Sequence, residues 1–273
     1  ADDQDQGAHL TQTENLIKQY EVSGGDRMLP RKVYLDSYTF VGDRYPDARA
    51  AMFRALEEGV VWWNFVGHAN TSGWTHEHQL SYADINQLYL RHWPFIYAAT
   101  CEFLRIDGSS VSGGELMFLQ RNGGAVGMLS AVRPVYISNN GLLSSAMGRA
   151  MAMKDDKGRP LPPGEICRRA KNDIRNINND RVIADDNRLR YTFIGDPALP
   201  LALPAAGVVV DSIKGISLAD PEAQPTLAAL ERATVTGYIV DPLGQPVTDF
   251  DGILTADNID AEHTVTTNGR GEA

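Results

Sequence analysis

The stretch that decides the fold is Val60–Val66 (VVWWNFV), an apolar run that leads directly into Gly67 and His68. A second apolar run, Pro94–Thr100 (PFIYAAT), leads directly into Cys101. Both runs have the length of a strand, and neither alternates polar with apolar residues, which is typical of strands buried on both faces of a sheet. The two runs are one strand–helix–strand unit apart, so we expect neighbouring parallel strands.

Helical patterns alternate with strand patterns outward from these two runs. Helices are predicted over Pro46–Glu58, from Ser81 to Arg91, over 113–122, over Asn140–Met153 and over Gly164–Asn178. Further strands are predicted at Lys32–Asp36, Ala125–Val132 and Arg188–Ile194. This alternation predicts an α/β domain with a mostly parallel sheet.

The pattern changes near Pro204, which we take as the end of the first domain (residues 1–204). Residues 205–230 carry little secondary-structure signal and are rich in Ala, Asp and Pro, so we predict a linker. Period-two alternation with turn residues over 231–273 predicts the start of a small β-sandwich domain. Because neither an initiator Met nor a signal peptide opens the sequence, we expect the chain to be part of a longer precursor.

Composition limits the classes of function. The chain has 273 residues, of which 43% are hydrophobic and 22% charged, enough for one large or two small domains. The formal net charge of −10 argues against a nucleic-acid partner and against adhesion to an anionic membrane. No apolar run approaches the length of a membrane span. Two cysteines, Cys101 and Cys167, are too few for a disulfide framework.

His68 and Cys101 are the candidate catalytic residues. If the two apolar strands are adjacent, both side chains emerge at the edge where open α/β sheets carry their sites. A thiol beside an imidazole is the pairing that a cysteine nucleophile needs, and the thiolate would attack a peptide carbonyl to form a thioester. Backbone N–H groups of Gly67, Ala69 and Cys101 are the predicted oxyanion hole. The alternative for each residue alone is structural, as a small core cysteine or a satisfied histidine.

Several short motifs resemble those of the gingipain family of cysteine peptidases in their order and spacing. Within that family, they are most similar to the motifs of the sortases of type IX secretion systems. The resemblance covers roughly residues 1–204. The motifs are Ala1–Gln4 with His9 and Gln12–Asn15, Gly67-His68, Trp74, Ala99–Phe103 (ATCEF), Ser112–Glu115 (SGGE), Gly123–Ala125 (GGA) and Gly195–Leu199 (GDPAL).

The resemblance implies a caspase-like α/β sandwich with a His68–Cys101 dyad, followed by a truncated immunoglobulin-like β domain at 231–273. It also implies that the N-terminal subdomain usual in the family is missing here. The implied role is that of a cell-surface enzyme, outside the outer membrane, that cleaves C-terminal sorting domains from secreted cargo. Such an enzyme joins the cargo to a lipopolysaccharide amine and works with outer-membrane secretion components.

Two alternatives remain open beside the sortase interpretation. A plain secreted endopeptidase of the same family is one, because water and an amine compete for the same thioester. A catalytically inactive scaffold module is the other, because Ala69 stands where the family pattern has glycine, and a methyl group restricts a backbone that requires a positive φ. An acid that orients His68 would lie upstream, and Asp3 and Asp5 are the positions that the resemblance suggests.

Metal sites are not predicted from the residues alone. His76–His78 offers two imidazoles without a third ligand that the sequence identifies. The acidic segment Asp2–Asp5 lacks the spacing of a calcium loop, although some relatives hold calcium, and its plainer interpretation is a solvated loop. We therefore expect no cofactor, with structural calcium as the one exception that the resemblance suggests.

Overall fold

The computed structural model describes residues 1–177, 187–204, 206–228 and 231–251, together with the backbone of 257–258 and 265–266; of 175–177 it describes only the backbone. The α-helices are α1 (Ala8–Val22), α2 (Pro46–Glu58), α3 (Tyr82–Gln87), α4 (Gly113–Leu119), α5 (Ile137–Ala152) and α6 (Pro163–Ile177). The strands are β1 (Trp62–Val66), β2 (Ala69–Asn70), β3 (Gly73–Trp74), β4 (Leu80–Ser81), β5 (Phe95–Ala99), β6 (Gly127–Ala131), β7 (Tyr191–Gly195), β8 (Gly207–Ile213), β9 (Ile216–Ser217), β10 (Val235–Val240), β11 (Asp257–Asn258) and β12 (Val265–Thr266). Among the helices described, none has the length and apolar character that crossing a membrane would take.

A four-stranded sheet in the order β1-β5-β6-β7 forms the centre of the first unit. β1, β5 and β6 run parallel, and β7 closes the sheet antiparallel to β6. The predicted pairing of the two apolar strands is confirmed, with Val66 opposite Ala99 in the register. Every residue of β5 is buried, as a non-alternating apolar run requires when both faces of a strand are covered.

Helices cover both faces of this sheet. Phe95 and Tyr97 of β5 lie in a core that includes Leu16 of α1 and buried residues of α5 and α6. The intervening Ile96 lies in a second core with Ile85 of α3 and residues of α2 and α4. Because alternate residues of a strand face opposite sides, the two cores follow directly from the pleat. The result is the mixed α/β sandwich that the sequence predicted.

The start of α4 brings that helix close to the segment after β5. Ser112 caps the helix, since its side chain accepts from the N–H of Glu115 while the Glu115 carboxylate accepts from the N–H of Ser112. A Cβ at Gly114 would lie 2.7 Å from the carbonyl oxygen of Phe103. Glycine is therefore needed here for the close approach of the helix to the chain that follows Cys101.

The structure corrects several predicted elements. Lys32–Asp36 is not a strand, because a 3₁₀ turn begins at Leu35, and Val33 and Leu35 join a small core with Tyr45. Helix α1 was not predicted, since buried polar residues such as His9 on its inner face weaken the apolar pattern.

Helix ends also differ from the predictions. α3 and α4 end at Gln87 and Leu119, earlier than expected. The last residue of the predicted helix Gly164–Asn178 lies outside the described residues.

The chain divides into two compact units, Ala1–Leu203 and Pro204–Ala273. In the second unit, β8 pairs antiparallel with both β10 and β9. The range 205–230 was predicted as a linker, but it contains the two strands β8 and β9. The Val-rich run 207–213 forms β8 despite its Ala- and Pro-rich surroundings. The immunoglobulin-like character predicted for 231–273 stays a prediction, and much of that range lies outside the described residues.

Candidate active site

The parallel pairing of β1 and β5 places His68 and Cys101 at the same edge of the sheet. Each residue follows two positions after the last register pair, Val66 and Ala99. The N–H of Gly67 donates to the carbonyl of Ala99 at 3.4 Å, so the ladder continues as far as the residue before His68. The sequence thus predicted correctly that both strands end at the edge where sites occur in such sheets.

The imidazole of His68 is held by a carboxylate from the N-terminal segment. Its Nε2 lies 2.7 Å from Oδ2 of Asp5, and because a carboxylate only accepts, Nε2–H is the donor. The hydrogen bond from His68 holds the pKa of Asp5 below its usual range, so the carboxylate is charged at neutral pH. Of the two candidate acids from the sequence, Asp5 is the one that contacts His68, whereas Asp3 accepts from the Tyr45 hydroxyl at 2.6 Å.

Asp2 fixes the backbone of the same histidine. It is completely buried, and its Oδ2 accepts from the His68 N–H at 2.8 Å. Burial raises the pKa of Asp2, while the N–H groups of His68 and Gln4 oppose that change. A Cβ at Gly67 would lie 2.5 Å from the Cβ of Asp2, so glycine is required for this contact. Sequence reasoning missed the role of Asp2, because nothing local indicates that the N-terminal segment meets residue 68.

The sulfur of Cys101 lies against backbone atoms. The N–H of Val135 donates to Sγ at 3.4 Å, and the thiol faces the Val135 carbonyl at 3.7 Å. Within the described part of the chain, no hydrogen bond joins the sulfur to His68. The two side chains thus share a sheet edge without a direct bond, and the contact with Val135 had no signal in the sequence.

The residue after the cysteine adopts a strained backbone. Glu102 has φ +50°, in the left-handed region that non-glycine residues rarely occupy and that recurs at functional sites. Its carboxylate pairs with Arg105 at 2.9 Å.

The predicted oxyanion donors differ in their availability. The N–H of Gly67 is already engaged with Ala99 at 3.4 Å. Ala69 lies in β2, paired with Trp74, and it is not among the residues with positive φ. The methyl group of Ala69 therefore strains nothing, and the reason for suspecting an inactive site at this position is removed. The roles of Ala69 and Cys101 as backbone donors stay predictions.

A second imidazole shares the carboxylate that holds His68. Nε2 of His9 lies 3.1 Å from Oδ2 of Asp5, and the rings of His9 and His68 meet edge to face with centroids 5.2 Å apart. The His9 side chain is only 3% exposed, and this burial lowers its pKa, so it is neutral and donates through Nε2–H.

Three carboxylates meet beside this network. Ligand oxygens of Asp2, Asp3 and Glu77 lie within 4.8 Å of one another. Oδ1 of Asp3 and Oε2 of Glu77 are buried, and neither has a hydrogen-bond partner among the described residues. The neighbouring His76 instead bonds Gln4 through Nδ1 at 2.8 Å. The cluster thus takes members from both segments considered in the sequence, Asp2–Asp5 and His76–His78, and a divalent cation that prefers oxygen ligands fits it.

A model of peptidase family C25 matches residues 1–202. No curated protein sequence matches the chain. The fold is similar to that of the complex of RgpB pro- and mature domains from Porphyromonas gingivalis, with a TM-score of 0.56 and 16% identity over 74% of this chain and 46% of that chain. It is also similar to the Arg-specific cysteine proteinase gingipain R (RgpB), with a TM-score of 0.55 and 18% identity over 74% of this chain and 45% of that chain.

Dimeric latent PorU from Porphyromonas gingivalis matches with 23% identity over 54% of this chain and 14% of that chain. Its TM-score of 0.27 is too low to carry an argument about the fold. The chain spans about half the length of the two gingipain structures, 46% and 45%. Identities this low establish a shared fold and leave substrates open.

Proposed function

The chain belongs to peptidase family C25, the gingipain family of cysteine peptidases, and we propose on that basis that Cys101 is a nucleophile activated by His68. The observation that carries this proposal is the matched position of both residues, two places beyond the pair Val66 and Ala99. The absence of a direct bond within the described structure is compatible with it, since catalytic hydrogen bonds are often long before substrate binds.

The hydrogen bond to Asp5 supports a role for His68 as the base. Because Nε2–H donates to Asp5, the other ring nitrogen, Nδ1, is left to accept the thiol proton. The N–H of Val135 donates to the sulfur at 3.4 Å and so helps to fix its position at the end of β5. The thiolate then attacks a peptide carbonyl, and the protonated imidazole gives its proton to the leaving amine as the thioester forms.

Stabilisation of the developing oxyanion falls to backbone N–H groups in this mechanism. Cys101 and Ala69 follow directly on the two strand ends and are the preferred donors. Gly67 contributes only if its bond to Ala99 opens when the substrate binds.

The fate of the thioester separates the two active candidates. We assign the chain a sortase-like transfer, in which the enzyme cleaves C-terminal sorting domains from secreted cargo and an amine of surface lipopolysaccharide takes the acyl group. The support is the ordered set of motifs that resembles type IX sortases. This function places the enzyme at the cell surface, outside the outer membrane, beside outer-membrane secretion components. A secreted endopeptidase that transfers the acyl group to water is the second candidate.

The decisive experiment supplies both acceptors at once. The full-length protein is incubated with a cargo that ends in a sorting domain and with a saturating small primary amine, and mass spectrometry reads the new carboxyl end. We expect an amide adduct. Hydrolysis without an amide adduct would contradict the transfer and leave the peptidase. If the wild-type protein cleaves no more cargo than the Cys101→Ala variant, both active candidates are contradicted and the scaffold interpretation is favoured.

A structural cation at Asp2, Asp3 and Glu77 completes the proposed site. Its positive charge would offset much of the negative charge of the three clustered carboxylates and supply a partner to the two buried oxygens. Because Asp2 also holds the His68 N–H, the cation would brace the segment that carries Asp5. We expect Ca²⁺ to raise the melting temperature of the chain but not of a Glu77→Gln variant. An equal rise in both proteins would contradict this assignment.

A further inference from the structure

One carboxylate oxygen serves two imidazoles beside the proposed nucleophile. Oδ2 of Asp5 lies 2.7 Å from Nε2 of His68 and 3.1 Å from Nε2 of His9. The ligand atoms of all three residues lie within 4.8 Å of one another. A His–Cys dyad needs one imidazole and one orienting acid, so the second imidazole is not explained by the proposed peptide cleavage.

The second imidazole, that of His9, is also deeply buried. His9 is fixed on α1 with its side chain 3% exposed, and its Nδ1 has no partner among the described residues. The Nε2 of His9, which faces Asp5, shares this one carboxylate oxygen with the Nε2 of His68. Asp5 and His68 are by contrast about one third exposed, at 37% and 38%, so the cluster can be reached from solvent on that side.

The ligand set indicates which ions would bind. Two imidazoles and one carboxylate suit Zn²⁺ and other late first-row divalent cations, whereas Ca²⁺ and Mg²⁺ prefer oxygen ligands alone. Bonds of about 2.0–2.1 Å to a tetrahedral zinc ion place neighbouring ligand atoms roughly 3.4 Å apart. Nε2 of His9 is already near that separation from Asp5, and His68 needs only a small outward movement.

We propose that Asp5, His9 and His68 form a Zn²⁺ site that shuts off the peptidase. On binding, the proton on Nε2 of each ring moves to Nδ1, and the two freed Nε2 lone pairs and Oδ2 of Asp5 coordinate the ion. Water takes the fourth position, as in zinc sites with three protein ligands. His68 then carries its proton on Nδ1 and no longer accepts the proton of the Cys101 thiol. The inhibitory consequence rests on the proposed function, whereas the binding itself does not.

Binding is tested without any catalysis. The full chain carries Cys101→Ala, which removes the thiol as a competing ligand, and ZnCl₂ is titrated into it by calorimetry. We expect His9→Gln and, separately, Asp5→Asn to weaken binding at least about tenfold in this background. His76→Gln is the matched control, because its ring lies 5.9 Å from that of His68 but outside the cluster. We expect the control to bind as the parent does.

Inhibition by Zn²⁺ is tested in the chain that retains Cys101. The rate at which iodoacetamide alkylates Cys101 should fall at least about tenfold when Zn²⁺ is added to the wild-type chain, and should hardly change in His9→Gln. Unchanged zinc affinity in both His9→Gln and Asp5→Asn would overturn the site. Zinc binding that depends on these residues, in a protein that cleaves no peptide, would leave the site standing and refute the proposed function instead.

Discussion

The end of β1 and the end of β5 lie side by side, but the residues at the two ends have different kinds of contact. Around His68, the side-chain hydrogen-bond partners and the nearer of its two neighbouring rings come from the N-terminal segment, namely Asp2, Asp5 and His9. Around Cys101, the sulfur meets only the backbone of Val135 in its described hydrogen bonds. Substitutions far away in sequence can therefore change the imidazole half of the site, whereas the sulfur half depends on the cysteine and on the main chain.

The largest effect should come from the sulfur half. Cys101→Ala removes the nucleophile, and we expect peptide cleavage by the full-length protein to fall by about 10⁴-fold or more. Cys167→Ala, which removes the other thiol from the core beneath α6, should leave the turnover rate nearly unchanged. Equal losses in the two variants, measured on a fluorogenic peptide, would remove Cys101 from its assigned role.

The imidazole half should respond next. Asp5→Asn removes the charge that accepts from His68, and we expect a loss of roughly 10²- to 10³-fold in turnover. The fold should survive, because the Asp5 side chain is about one third exposed. Asp43→Asn, a change at a carboxylate that is 84% exposed, is the control and should have no effect. Turnover equal to the wild type in Asp5→Asn would show that the carboxylate does not act through His68.

The contrast between the two thiols should be visible without substrate. Burial raises the pKa of the Cys167 thiol to about 12, so its thiolate fraction at neutral pH is negligible. We expect iodoacetamide to label the partly buried Cys101 at least about a hundredfold faster at pH 7. Labelling of Cys167 in the folded chain should increase only as the pH rises towards 12, which peptide mapping by mass spectrometry can follow.

The smallest effect should come from Ala69→Gly. Because Ala69 lies in a short extended strand without positive φ, removal of its methyl group relieves no strain. We expect turnover within about twofold of the wild type and a loss of roughly 0.5–1 kcal/mol in unfolding free energy from backbone entropy. A large gain in turnover would mean that the methyl group does obstruct the proposed oxyanion hole.

The difference between the two strand ends also explains what the sequence could predict. Val60–Val66 and Pro94–Thr100 are local signals, and their continuous apolar character was enough to infer parallel, doubly covered strands ending at His68 and Cys101. The partners of those residues are non-local. The contact of Asp2 with His68 depends on the tight approach permitted by Gly67, and such packing leaves no periodic pattern to find.

Misplaced elements have a similar physical origin. α1 carries the polar residues His9 and Thr13 on its buried face, and these concealed its amphipathic pattern. β8 was concealed by composition, since the Ala, Asp and Pro around it suggested a linker. In both places the neighbours in space, which the sequence does not display, determined the structure.

The N-terminal segment has a second effect that follows from its position. β1 is the outermost strand of the sheet among the described residues, and an outer strand can offer backbone groups as a template for another chain. The N–H of Asp2 donates to the carbonyl of Val66 at 3.1 Å and so occupies the end of that edge nearest to the catalytic residues. The segment that positions His68 thus also occupies one backbone carbonyl of β1 that an added strand would otherwise use.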